Sequence, residues 1–307
     1  MLKKWTAFPI VRFGAAVALI LALVLAFPGT RALAGQLLNL FRVQQVTVIP
    51  VDFTGLEQLT GDGTLGNQFS QLISQSIDMT QKPGEPEEAA NADEASQLAG
   101  FSVRLPQGKD PSQIYVTGAA AFTLTVDRNK AQALLDEAGR SDLVLPDSID
   151  GARISVKIPA TASIGYGTCP KPQMSESESE DSRIPGRRYP DCVILAQLPS
   201  PVVDAPADVD VAQLAQIGLE FTGMSPEEAA AFTSSVDWAS TLVVPIPRNA
   251  AIYEQVTVDG VTGTLIQRPA DDAPQYALLW VKDGIVYGIS GLGTNYQQAI
   301  DMANSLP

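Results

Sequence analysis

Hydrophobic residues follow three patterns along this chain, and each predicts a different kind of element. The first is an unbroken apolar run, Phe13–Phe27 (FGAAVALILALVLAF), stopped by Pro28 and Gly29. A run of this kind is the apolar heart of an export signal or, extended through Phe8–Val11, a membrane-spanning helix. Lys3, Lys4 and Arg12 precede it, which predicts a cytoplasmic N-terminus and a body on the far side of the membrane. Ala32-Leu33-Ala34 offers a small-residue cleavage pattern before Gly35. Two outcomes stay open: a single-pass anchor with the body outside the cytoplasm, or a protein secreted after cleavage near Ala34.

The second pattern is alternation, or short apolar runs bounded by turn residues, and it predicts strands. Gln45–Phe53 alternates. Ile114–Val126 reads as one strand or a strand pair, Ile154–Ile158 and Ala162–Tyr166 as strands, and Val193–Leu198 as a buried strand. Thr241–Pro245 is another. Glu254–Val258 with Thr262–Gln267, and Tyr276–Val281 with Ile285–Ser290, predict two hairpins turned by Asp259-Gly260 and Asp283-Gly284, a favoured two-residue turn pair.

The third pattern recurs every three or four residues and predicts helices. It appears in the second half of Gly55–Met79 (Leu65, Phe69, Leu72, Ile73, Ile77), in Asp127–Gly139 with Asp127 as cap, and in Val209–Phe221. A helix starting at Ser225-Pro226-Glu227-Glu228 has a capping box and should run to about Trp238. Thr294–Ser305 is the last. Hairpins beside helices predict an α+β fold, with an antiparallel sheet packed against helices and one N-terminal transmembrane or signal helix before it. Gln81–Asp93 (QKPGEPEEAANAD) has no apolar period and reads as a solvated linker. The expected organisation is 1–34 anchor or signal peptide, 35–80 membrane-proximal strand and helix, 81–94 acidic linker, and 95–307 extracytoplasmic α+β domain.

Composition narrows the chemistry. The chain of 307 residues holds 34 acids against 20 bases, no histidine and two cysteines. Without histidine it can build neither a Ser-His-Asp triad nor a histidine-ligated zinc site. Its acidity is opposite to the footprint of a nucleic-acid binder. Cys169 and Cys192 flank a Ser-, Glu- and Arg-rich loop, and in an oxidising compartment they are expected to form a disulfide. The acidic run Ser175–Asp181 lacks the spacing of a calcium loop and reads as a solvated face. Gly61–Gly66 (GDGTLG) lacks the lysine of a phosphate loop. Glu227/Glu228 and Asp271/Asp272 are neighbouring acids of the kind expected in so acidic a chain. No catalytic residue, metal or cofactor is assigned. Trp238 and Trp280 read first as core residues, and as a candidate ligand groove if they line one surface.

One resemblance rests on particular phrases. They are Tyr276–Val281 (YALLWV), Asp283–Gly291 (DGIVYGISG) and the closing Ala303-Asn304-Ser305-Leu306, with weaker support from Phe41–Asp52 and Gly100–Pro106 (GFSVRLP). The C-terminal third resembles a domain of unknown function found at the C-termini of bacterial membrane-anchored, anti-sigma-factor-like proteins. That resemblance implies a single-pass extracytoplasmic domain. It does not extend to the zinc-binding anti-sigma domain, because no cysteine or histidine precedes the apolar run. The expected function is a non-enzymatic binding or sensory module at the cell envelope, with the membrane as partner through the N-terminal helix and an envelope protein or lipid as ligand. The alternatives are a lipid or small-ligand carrier and an exported hydrolase.

Overall fold

The computed structural model describes residues 43–52, 64–172, 191–248, 251–269 and 274–307. The apolar run, the candidate cleavage site, the acidic run Ser175–Asp181 and the Asp271/Asp272 pair lie outside them. Among the described residues no helix is long and apolar enough to cross a membrane. Residues 43–307 form one compact unit.

Its centre is an eight-stranded antiparallel sheet. Strands β3 (Glu87–Glu88), β4 (Gln113–Thr117), β7 (Thr161–Tyr166), β8 (Val193–Pro199), β11 (Ile252–Val258), β12 (Val261–Arg268), β13 (Gln275–Lys282) and β14 (Ile285–Leu292) line up in the order β11-β12-β13-β14-β8-β7-β4-β3. Both predicted hairpins form. Asp259, Gly260, Asp283 and Gly284 all take positive φ, between 52° and 77°, as a turn that matches strand twist requires.

Register explains the core. Leu265, Leu278, Ile289, Leu195, Ile164 and Ile114 are successive cross-strand partners on six adjacent strands. All six are buried, and helices α2 (Ala92–Ala99) and α6 (Gln297–Asn304) close over them with Ala95, Ala299, Met302 and Ala303. The other sheet face carries the in-register row Ile266, Ala277, Ser290 and Ile194. Over this face lies a two-stranded parallel sheet of β1 (Gln45–Val51) and β10 (Thr241–Pro247); β1 packs on β12 and β13. Parallel strands are usually joined by a crossover. Here some 190 residues separate them, with Gln45 paired to Thr241.

A second, four-stranded sheet has the order β2-β5-β6-β9, from Ile77–Gln81, Ala120–Thr125, Arg153–Ile158 and Val202–Asp204. Three chain stretches run from one sheet into the other: β4 to β5 through Gly118-Ala119, β6 to β7 through Pro159-Ala160, and β8 to β9 through Ser200-Pro201. The breaks face one another across the ladders, with Thr117 opposite Thr161 and Ala120 opposite Ile158. Proline has no N–H to give a ladder, so Pro159 and Pro201 fit a crease and not a strand interior. Helices α1 (Thr64–Ser76), α3 (Arg128–Glu137) and α4 (Val211–Phe221) belong to this end. A small core of Leu145, Ile149, Ala152 and Val209, with Leu135, Leu214 and Ile217 against it, joins α3 and α4. Helix α5 (Pro226–Ser235) has the expected capping box, with Glu228 N donating to Ser225 Oγ and Ser225 N to Glu228 Oε2, both at 3.2 Å. It ends before Trp238.

Three sequence expectations need correction. Residues 81–94 are not a free linker: Glu87 and Glu88 pair with Val116 and Tyr115, Ala89 N donates to Ile114 O, and Asn91 caps α2. The described part of 35–80 is likewise no separate element, since β1 pairs with β10 and β2 with β5. The polar composition of 81–94 reflects exposed edge positions, where one side of the backbone still bonds to the sheet. Ile77 and Met79, read as the end of a helix, lie on strand β2: Ile77 follows Ile73 by four residues, a helical spacing, but precedes Met79 by two, a strand spacing.

Tyr166 is buried on the core face, and its hydroxyl has no hydrogen-bond partner among the described residues. Burial pushes its phenol up to about 12. Removing an unpaired buried hydroxyl is nearly free or favourable. Tyr166→Phe is therefore expected to leave the urea midpoint unchanged or to raise stability by up to about 1 kcal/mol. A loss of more than that would reveal a partner for the hydroxyl.

Candidate functional site

Two constellations stand out, and they differ in kind. The first surrounds Asp259 in the β11–β12 turn. Its carboxylate accepts from Arg104 Nη1 at 2.6 Å and Nη2 at 2.9 Å, from Lys282 Nζ at 2.6 Å, and from Trp280 Nε1 at 3.3 Å. Lys282 Nζ also donates to the Asp259 carbonyl, and Asp259 N donates to Asn304 Oδ1. Arg104 is fixed in turn. Its backbone N–H donates to Gln197 Oε1, its carbonyl accepts from Gln197 Nε2, and its Nε donates to the main-chain oxygen of Pro307. The guanidinium lies over Tyr287, 5.4 Å from the ring centre, and Tyr287 stacks on Trp280 at 5.1 Å.

Side-chain exposure is 14% for Arg104 and 4% for Asp259. Burial alone would push the Asp259 carboxyl up, but the hydrogen bonds from Arg104 and Lys282 outweigh it and hold the carboxyl below its usual range. The Asp259 bond likewise raises Arg104. Each carboxylate oxygen already accepts two donors, so the group has no free lone pair aimed at a substrate. This is a tie between segments. Gly100–Pro106, Tyr276–Val281, Asp283–Gly291 and Ala303–Leu306 each place a residue in it. Those sequence phrases therefore have a structural cause.

The second constellation is a groove of about 480 Å³ on the sheet face opposite the core. Its floor is the row Ile266, Ala277, Ser290 and Ile194. Ile246 at the end of β10 and Ala251 stand on one side, and Cys192 and Pro170 on the other. At one end the next row, Arg268, Gln275 and Leu292, is also in register. Tyr276 lies at the boundary with the core, and its ring covers Gly291 so closely that a Cβ there would collide with it. Burial raises the Tyr276 phenol.

The groove exists because the β1–β10 pair is narrower than the face beneath it. Strands β8 and β13 are apolar at successive positions, as β12 is at Leu265-Ile266, the pattern of strands covered on both faces. Among the described residues only part of the outer face is covered. Among the described residues the groove lining holds no carboxylate, lysine or histidine, and thus no such base beside Ser290. What the surface can do is hold an apolar body of small-ligand size, since ligand pockets run from about 300 to 1,000 Å³.

The disulfide Cys169–Cys192 is present and ties the end of β7 to the start of β8. The two tryptophans do not share a groove. Trp280 is fully buried on the core face. Trp238 is half-buried after α5, with its Nε1 donating to Thr233 O at 3.0 Å. Neither lines the 480 Å³ groove. A second depression, of about 360 Å³, lies between α1 and α3 and is mixed, lined by Gln68, Gln71, Gln75, Lys130 and Glu137 together with Leu72, Ala133 and Leu134. Among the described residues no group of three or more acids or cysteines could hold a metal ion.

Comparison with family models, curated proteins and solved structures finds no match for this chain. The site must therefore be read from its own geometry. Sequence reasoning missed both constellations. Asp259 and Asp283 carry the same Asp-Gly turn signature, yet Asp283 is exposed. Nothing local marks the one that meets Arg104, 155 residues away. For the groove a signal did exist: the apolar outward positions Ile194, Ile266 and Ala277, which a solvated face would not carry.

Proposed function

We propose that this chain is an extracytoplasmic binding module, anchored in the cell membrane by its N-terminal apolar run, that takes a small apolar or amphiphilic ligand in the groove beside the disulfide. The observation that carries the reading is the groove itself. Apart from Ser290, its floor is built of apolar side chains, Ile266, Ala277 and Ile194, that gain nothing from facing water, and its volume suits a ligand. The basic residues before Phe13 and the disulfide support a body outside the cytoplasm, because disulfides persist in oxidising compartments. The resemblance to anti-sigma-factor-like ectodomains supports a sensory use of that binding, in which ligand occupancy is the signal.

Titration of the full-length chain in a non-ionic detergent with the neutral apolar fluorophore N-phenyl-1-naphthylamine tests the groove. One saturable site above the detergent background is expected. It should weaken at least tenfold in Ala277→Trp, which fills the floor, with Leu292→Trp as a second filling variant. Equal signals from wild type and both variants would reject the reading.

A further inference from the structure

We infer that the ligand of this groove is a single-chain amphiphile with a carboxylate head, a free fatty acid, gripped at its head by Arg268; this rests on the reading of the groove as a ligand site. Three observations carry it. The first is charge. Acids outnumber bases 34 to 20 in the chain, yet among its described residues the groove lining holds no acid and one base, Arg268. No described residue forms an ion pair with that guanidinium. Arg104, Arg128 and Arg140 each pair with an aspartate, while Arg153 and Arg248, which do not line the groove, also lack an ion pair among the described residues. An exposed arginine with no ion-pair partner among the described residues, at the end of an apolar groove, is complementary to an anion that brings an apolar tail.

The second is placement. Arg268 is the last residue of β12 and Gln275 the first of β13, and they are cross-strand partners. Both stand at the strand ends, one row beyond the apolar floor. The polar end and the apolar floor are therefore separated along the strand direction, as the head and tail of an amphiphile are. Arg268 offers a planar pair of donors that matches a carboxylate, and Gln275 can add an amide donor.

The third is size and charge number. A cavity of about 480 Å³ has room for one acyl chain and not for the two chains of a membrane phospholipid. One guanidinium neutralises one negative charge. A phosphate monoester head, which carries about two negative charges near neutral pH, would leave an excess against an already acidic body.

The experiment photolabels full-length protein in a non-ionic detergent with a diazirine-bearing hexadecanoate and, separately, with its methyl ester. Labelled peptides are mapped, and each label is competed by unlabelled hexadecanoate. The acid should label the 264–268, 275–279 and 288–292 peptides. Arg268→Gln should weaken the acid about tenfold, the loss expected for one charge-assisted contact, and leave the ester unchanged. Ala277→Trp and Leu292→Trp should abolish both. Groove labelling that Arg268→Gln leaves untouched overturns the carboxylate head and keeps the groove. Preferential labelling by the ester overturns it too. The absence of groove labelling by either probe overturns both readings. Far-ultraviolet circular dichroism and intact Cys169–Cys192 linkage confirm that each variant is folded.

Discussion

Asp259→Ala should lower the unfolding free energy by about 3–5 kcal/mol, the range for removing one partner of a buried ion pair. The loss arises from what remains. Arg104 keeps its place between Gln197, Tyr287 and the Pro307 oxygen, and Lys282 stays 31% exposed, so two cations face each other without their shared anion. Asp259→Asn retains the shape and should lose nearly as much, because the charge is the missing part. A typical domain has about 5–15 kcal/mol in all, so the variant should unfold at markedly lower urea.

The pH dependence has a definite sign. The folded carboxyl lies below its unfolded value, which for aspartate is about 3.9. Its contribution is complete above the unfolded value and is lost as pH falls through the folded one. Wild type should keep this contribution from pH 7 down to about pH 5 and lose it in stronger acid. The gap between wild type and Asp259→Asn should narrow over the same acid range. Urea unfolding at pH 7, 5 and 3 measures this, and a constant gap would contradict it.

Removing the Cys169–Cys192 bond should cost about 3 kcal/mol, from the entropy restored to an unfolded chain in which a loop of 23 residues is no longer closed. The native neck of that loop has other ties. Tyr166 pairs with Val193, and Thr168 N donates to Asp191 Oδ2 at 3.1 Å. The folded state should therefore survive in the Cys169→Ala/Cys192→Ala variant, with the change visible as a lower unfolding midpoint at constant urea slope. Cys192 and Pro170 also wall the groove, so the same variant should bind the apolar fluorophore severalfold more weakly. An unchanged midpoint after full reduction would mean that the neck contacts alone close the loop.

Local signals made much of the fold legible. Asp-Gly between alternating strands marked both hairpins, and Ser225 with Glu228 marked the start of α5, because turn and cap chemistry acts over three or four residues. Pairings over long distances carried no such mark. Nothing in Gln45–Val51 points to Thr241–Pro247, and Gly118, Pro159 and Pro201 show a common crease only once their strands are in register. The polar stretch 81–94 misled because composition reports exposure and not the absence of backbone pairing. Trp280 misled in a different way. Its size suggested a ligand surface, but its indole N–H serves the buried Asp259. The groove was half legible: strands apolar on both faces implied a cover, and only the structure shows that β1 and β10 cover part of the face.

Hydrogen exchange of the full-length chain, with and without saturating N-phenyl-1-naphthylamine, tests the central claim of a ligand groove most directly. Added protection is predicted in peptides spanning 192–196, 264–268, 275–279 and 288–292, and it should vanish in Ala277→Trp. Protection centred on α1 and α3, or no protection in these strands at saturation, would contradict it.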